Sequence, residues 1–146
     1  MRGFPGIVAA ALLLAGCGQP AELGAKDAWV RLPAVAGRPG AAYFTLHGGA
    51  QADILLAVST PAALRSELHE TTDQAGVKSM NPTRDVPVPA KGTVEFAPGG
   101  RHVMLFDLGP NVKPGGRIPL ALVFASGKKL EVQAQVVGAG DPPPAR

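Results

Sequence analysis

The sequence is poor in the residues that carry most protein chemistry. Among its 146 residues there are one cysteine, three histidines and three methionines, and aromatic residues make up 5%. The single cysteine is Cys17, so a domain that follows it has no disulfide and no thiolate with which to bind a metal. The sequence also has no Gly-x-Ser-x-Gly, no His-Glu-x-x-His and no cysteine nucleophile in that domain, which disfavours a hydrolase. The weak net charge of +3, with so few aromatics, argues against a nucleic-acid partner.

Long hydrophobic runs are missing as well. The apolar run from Ile7 to Leu14 follows Arg2 and is far shorter than the roughly 20 residues that a membrane-spanning helix needs. It ends in Leu-Ala-Gly-Cys, which resembles the bacterial lipoprotein signal, where the cysteine becomes the lipid-modified first residue. We therefore predict a signal peptide over residues 1–16 and lipidation of Cys17. The protein is then exported, periplasmic or otherwise extracytoplasmic, and held on the membrane by acyl chains.

Composition divides the rest of the chain into three parts. Residues 17–26 have no periodic pattern and are predicted to be the lipidated cysteine with a flexible tether. Residues 27–137 are long enough for one domain with its own core. Residues 138–146 include three consecutive prolines and are predicted to form a disordered tail.

The domain has the pattern of an all-β protein. Short apolar or alternating segments are separated by prolines and glycines, of which the chain has 15 and 19. Residues 61–67 are the one place where we expect a short helical turn. The fold predicted from this pattern is a β-sandwich or barrel, with Greek-key connections expected. The predicted strands are 28–32, 41–47, 53–59, 66–72, 77–81, 92–97, 102–108, 117–125 and 129–137.

Two residues in the strand at 102–108 suggest a metal site. Side chains alternate across a strand, so His102 and Met104 point to the same face. An imidazole nitrogen beside a thioether sulfur suits a soft metal, above all Cu(I). A methionine in an apolar strand is usually core packing, and a neighbouring histidine is usually a partly buried polar residue with a backbone partner. This pair alone therefore favours a structural role.

A second His and Met pair strengthens the metal interpretation. Met80 lies among polar neighbours, and His69 lies in the preceding strand, with a hairpin turn predicted over residues 73–76. A hairpin can bring these two side chains together. Four neutral ligands would then come from two places in the chain, which favours a moderate and transferable hold on Cu(I).

The spacing of the four residues resembles the motif of the periplasmic copper chaperones of the PCuAC family. Ten residues separate His69 from Met80, 21 separate Met80 from His102, and one separates His102 from Met104. The similarity extends over roughly residues 28–137 and includes Ala-Trp-Val-Arg, Glu-Leu-His-Glu and Pro-Gly-Gly-x-His-Val-Met-Leu. It implies a cupredoxin-like β-barrel that binds one Cu(I) through these four side chains. It also implies delivery of copper to an accepting protein, either subunit II of cytochrome c oxidase, with its dinuclear copper centre, or another copper chaperone.

The chain departs from the family pattern in two places. Many relatives have a further methionine just after the first histidine, where this chain has Glu70 and Thr71, and some have a tail rich in Met and His. Both departures argue against a second copper.

Several alternatives remain open from the sequence. The protein could store copper or confer copper tolerance, or it could be a structural interaction lipoprotein whose His and Met residues only pack. A blue-copper site needs a thiolate, and zinc rarely takes methionine, so both are disfavoured. Of the remaining polar residues, His47 is expected outside the site, Glu67 or Glu70 could orient His69, and Arg101 has no assigned role.

Overall fold

The computed structural model describes residues 18–146, and over this range every regular element is a β-strand. The predicted signal peptide and Cys17 lie outside the described residues. No helix within residues 18–146 is long and apolar enough to span a membrane. The ten strands are β1 Gly24–Arg31, β2 Gly40–His47, β3 Asp53–Ser59, β4 Ala63–Gln74, β5 Val77–Pro82, β6 Val86–Val88, β7 Thr93–Phe96, β8 Arg101–Leu108, β9 Arg117–Phe124 and β10 Lys129–Val137.

The strands form one sheet in the order β5-β4-β8-β7-β2-β1-β10-β9-β3-β6, in which β8 also pairs with β2. The neighbours are antiparallel except for β1 with β10 and β7 with β8. Buried residues from both ends of this order, such as Leu55 on β3 and Val103 on β8, belong to one core. The sheet therefore folds over itself, and the predicted all-β sandwich is confirmed.

Alternation of side chains builds this core. On β9 the buried residues are Ile118, Leu120, Leu122 and Phe124, and the residues between them are half-buried. On β2 Phe44 stacks on Phe96 of β7 with ring centroids 4.4 Å apart. Because strands such as β2 and β9 bury one face, their register in the sheet is strongly specified.

The hairpin of β4 and β5 turns through two residues, Ala75 and Gly76. Both have positive φ angles, 53° and 84°, as a type I′ turn requires. The side chain of Asp73 also accepts a hydrogen bond from the backbone N–H of Gly76 at 2.9 Å. The predicted hairpin is thus present, and it fixes the register between β4 and β5.

The structure differs from the sequence-based prediction in four places. The helical turn expected at 61–67 is wrong, because β4 begins at Ala63 and pairs there with Leu108 of β8. The short strand β6 was not predicted, since Pro87 interrupts its three residues. Strand β1 begins at Gly24, inside the stretch predicted to be a tether.

The fourth difference concerns residues 138–146, which form no strand but lie against the sheet rather than apart from it. Arg31 donates a hydrogen bond from Nη2 to the backbone oxygen of Asp141 at 3.2 Å. Arg146 forms an ion pair with Glu95 of β7 at 2.9 Å. This tail therefore crosses β1 and ends beside β7.

Candidate metal centre

The four predicted ligands lie on one face of three adjacent strands. His69 on β4 is directly opposite His102 on β8, and Met104 is opposite Glu67, two residues from His69. Met80 on β5 is opposite Thr71, which is two residues from His69 in the other direction. Directly opposite residues, and residues two apart on a strand, share a face. The other face of β4 and β8 carries core residues, including Leu68 and Val103.

The two histidines lie at the centre of this face, where His102 is buried and His69 is half-buried. Their ring centroids are 5.7 Å apart, with planes inclined at 42°. His102 is 4% exposed, which is unusual for a polar residue in this chain. Its Nδ1 lies 3.0 Å from the backbone oxygen of Gly100. Because a carbonyl oxygen can only accept, Nδ1 donates and the neutral ring keeps its lone pair on Nε2.

Each ring leaves one nitrogen without a hydrogen bond. His69 Nε2 lies 3.0 Å from Glu67 Oε2. The other nitrogen, Nδ1, is buried and has no hydrogen-bond partner within residues 18–146, and the same is true of His102 Nε2. Buried polar atoms normally have a hydrogen-bond partner. Two buried nitrogens without one, on neighbouring rings, indicate a place where a ligand can bind to both.

The lowered pKa of His69 also favours metal binding. Burial, and secondly the positive charge of Arg65, lower the pKa of His69 from its ordinary value of 6.5. A metal binds the neutral imidazole, since the lone pair must be available. The surroundings of His69 therefore keep it in the form that a metal requires.

The two methionines differ in exposure. Met104 on β8 is half-buried, whereas Met80 on β5 is 63% exposed. Every residue of β5 is exposed, and β5 is an edge strand of the sheet. The structure thus brings His69, His102 and Met104 together, and it places Met80 on the same face at the open side of the cluster.

Other polar residues considered from the sequence lie as follows. Of the two glutamates beside His69, Glu67 makes the hydrogen bond, whereas Glu70 pairs with Arg101 on the opposite face at 3.5 Å. His47 lies at the end of β2, opposite Gly24 and Thr93, and outside the cluster. Within residues 18–146, His, Cys, Asp and Glu side chains form no group of three that could hold a metal.

Sequence reasoning missed two neighbours of the site. Arg65 forms an ion pair with Glu67, and the alternation of 65, 67 and 69 on one strand was a signal that could have shown it. The second neighbour is Tyr43 on β2. Since Ala42 pairs with Val103, the next residue along β2 lies beside His102. Burial raises the pKa of Tyr43, and its ring packs on Trp29 with centroids 4.5 Å apart.

Comparison with known proteins gives a consistent result. The family described as "Putative lipoprotein LpqE-like" matches residues 23–136. The putative lipoprotein Lxx21020 of Leifsonia xyli subsp. xyli is 31% identical over 112 residues, which is 76% of this chain and 67% of that protein.

Solved structures agree on the fold. The solution structure of CuI-DR1885 from Deinococcus radiodurans is 31% identical with a TM-score of 0.63, covering 84% of this chain and 83% of that one. The apo form of DR1885 is 29% identical with a TM-score of 0.61, covering 97% and 96%. The copper-bound PCuAC domain from PmoF2 is 21% identical with a TM-score of 0.65, covering 82% and 98%. The predicted resemblance to PCuAC domains, with their cupredoxin-like β fold, is confirmed.

Proposed function

This chain belongs to the family of LpqE-like putative lipoproteins, and we propose on that premise that it is an exported, lipid-anchored carrier of copper and not an enzyme. The proposed cargo is one Cu(I) per domain. The proposed ligands are His69, Met80, His102 and Met104, and the proposed site of lipidation is Cys17.

One observation carries the proposal: two buried imidazole nitrogens on neighbouring rings have no hydrogen-bond partner within residues 18–146. A thioether from Met104 lies on the same face, opposite Glu67. Imidazole nitrogen and thioether sulfur together are a donor set suited to Cu(I). The likeness to CuI-DR1885, at 31% identity, supports the same cargo.

The chemistry of the site supports transfer rather than permanent storage. Four neutral ligands leave the charge of Cu(I) uncompensated, and Met80 is exposed at the sheet edge. Thioethers also remain available outside the cytoplasm, where paired thiols oxidise to disulfides. We propose that the acceptor is the dinuclear copper centre in subunit II of cytochrome c oxidase, or another copper chaperone.

The test is an anaerobic titration of residues 18–146 against a chromophoric Cu(I) chelator. We expect one tight equivalent, lost when Met80 and Met104 are both changed to leucine. The matched control is Val77→Leu, which alters an equally exposed residue of β5, 66% against 63%. Equal, weak binding by the parent and the double variant would contradict the proposal.

Delivery is tested separately from binding. The Cu(I)-loaded protein is mixed with the apo copper domain of oxidase subunit II, and the copper content of the two proteins is measured after separation. We expect copper to move to the acceptor. Retention by the carrier at equilibrium would instead favour copper storage or tolerance.

A further inference from the structure

A continuous row of contacts leads to His69 from the side of the site opposite Met80. Arg65, Glu67 and His69 share one face of β4, and Arg65 is opposite Phe106 on β8. The Arg65 guanidinium lies over the Phe106 ring, 3.8 Å from its centroid, and forms an ion pair with Glu67. Glu67 Oε2 in turn lies 3.0 Å from His69 Nε2. Phe106, Arg65 and Glu67 therefore form a chain of contacts that ends at Nε2 of His69.

The chemistry of these groups determines where the proton of His69 resides. An ionised carboxylate only accepts hydrogen bonds, so His69 Nε2 must carry a hydrogen. In the neutral ring this leaves the lone pair on Nδ1, which is the buried nitrogen without a partner in residues 18–146. His102 is the reverse case, because its Nδ1 donates to Gly100.

We propose that Glu67 is a positioning residue that holds His69 with its lone pair on Nδ1, and that Arg65, seated on Phe106, holds Glu67 in place. The inference rests on the proposed function where it makes Nδ1 a copper ligand. It adds that the two histidines bind through different nitrogens, His69 through Nδ1 and His102 through Nε2.

These contacts act on the site more than on stability. The side chains of Arg65 and Glu67 are 56% and 33% exposed. Ion pairs at exposed positions contribute little to folding free energy, because solvent screens them and ordering long side chains costs entropy. Variants at these two positions are therefore expected to fold, and a change in copper binding reports on the position of His69.

The chain offers a matched control pair. Glu70 and Arg101 are also opposite each other on β4 and β8, with Arg101 Nη2 3.5 Å from Glu70 Oε1. Glu70 is adjacent to His69 in sequence but points to the other face of the strand. Changes at Glu70 alter the same net charge without touching the ring.

The first experiment uses nitrogen-15 NMR of the copper-free protein at pH 7.5, so that it does not depend on metal binding. We expect His69 to show an unprotonated Nδ1 and a hydrogen on Nε2 that is protected from exchange. That protection is lost in Glu67→Leu, retained in Glu67→Gln, whose amide oxygen still accepts, and unchanged in Glu70→Leu. An unprotonated Nε2 in the parent protein would overturn the inference.

The second experiment measures Cu(I) affinity. Loss of an outer hydrogen-bond partner of a ligand histidine typically lowers metal affinity by about 10- to 100-fold, and we expect this for Glu67→Leu, with partial recovery in Glu67→Gln. Arg65→Met keeps an apolar side chain over Phe106 but removes the charge. If Arg65 acted only by repelling Cu(I), Arg65→Met would bind Cu(I) more tightly than the parent. If Arg65 holds Glu67 in place, Arg65→Met binds Cu(I) more weakly. Tighter binding would overturn the role given to Arg65.

The two experiments separate this inference from the proposed function. If the protein does not bind Cu(I) at all, the copper proposal fails, but the tautomer of His69 is still decided by NMR. If the protein binds Cu(I) while Nε2 is unprotonated, the copper proposal stands and the positioning role of Glu67 fails.

Discussion

His69 and His102 lie directly opposite each other on β4 and β8, with ring centroids 5.7 Å apart. The pairing of the two strands holds both rings on the same face before any metal arrives. If the two rings bind Cu(I) as proposed, little conformational entropy is lost on binding, because they already lie side by side. Of the four proposed ligands, His102 is buried and Met80, at 63% exposure, is the most accessible to solvent.

Replacement of His102 is expected to abolish tight copper binding. His102→Gln removes the buried Nε2 lone pair while retaining a polar side chain near Gly100. We expect Cu(I) affinity to fall by more than tenfold in the chelator titration. The matched control is His47→Gln, at the end of β2, which should leave the affinity unchanged. Equal losses in both variants would point to a general effect on the sheet.

Stability should depend on pH through His69. Burial and Arg65 lower the pKa of this ring below 6.5 in the folded protein, so the unfolded chain binds more protons on acidification. The contribution of neutral His69 to the free energy of unfolding is thus complete above pH 6.5, and it is lost as the pH falls through the pKa of His69 in the folded protein. Urea unfolding between pH 5 and 7.5 should show a steeper decline for the parent than for His69→Gln. Parallel curves would contradict this assignment.

Removing Arg65 should raise the pKa of His69. The positive charge of Arg65 is the second cause of the lowered value, after burial. In Arg65→Met the pKa should therefore move upward toward 6.5, which a proton NMR titration of the ring measures. Arg101→Met is the control, since Arg101 pairs with Glu70 on the other face and should leave the titration unaltered.

Gly48 should not tolerate a side chain. A Cβ at this position would lie 1.9 Å from the backbone oxygen of Pro89, and backbone cannot move aside cheaply. Gly48→Ala should lower the free energy of unfolding by about 3 kcal/mol or more, at the upper end of the range for overpacking. Gly24→Ala is the control, because a Cβ there would meet nothing within 4 Å beyond its chain neighbours. A small effect at Gly48 would show that the loop shifts easily.

The tail at 138–146 should shield the single tryptophan. Pro143 and Pro144 line a cavity of about 170 Å³ together with Trp29 and Phe96. Deleting residues 139–146 should move the emission of Trp29 to longer wavelength and leave copper affinity intact. Glu95→Gln, which breaks only an exposed ion pair, should change the emission little. An unchanged spectrum after the deletion would show that the tail does not cover Trp29.

Features set by residues close together in the sequence were predicted, whereas features set by contacts between distant parts of the chain were not. Strand β10 has its predicted bounds, and the β4–β5 hairpin follows from a local turn and a period of two. The relation of His69 to His102 needs the pairing of β4 with β8, more than 30 residues away, and local patterns do not specify it. The same pairing overrides the helical turn expected at 61–67.

The position of β5 at the end of the sheet also bears on how fast the proposed copper cargo would be released. If Met80 binds Cu(I) as proposed, an incoming donor can reach it directly, because it is exposed on the edge strand β5. His69 and His102 lie on β4 and β8, which both have neighbouring strands on either side. An incoming sulfur or nitrogen donor can therefore replace Met80 first and the histidines later. We expect release to be second order, with a rate that rises with the concentration of the acceptor, and to be slow in its absence.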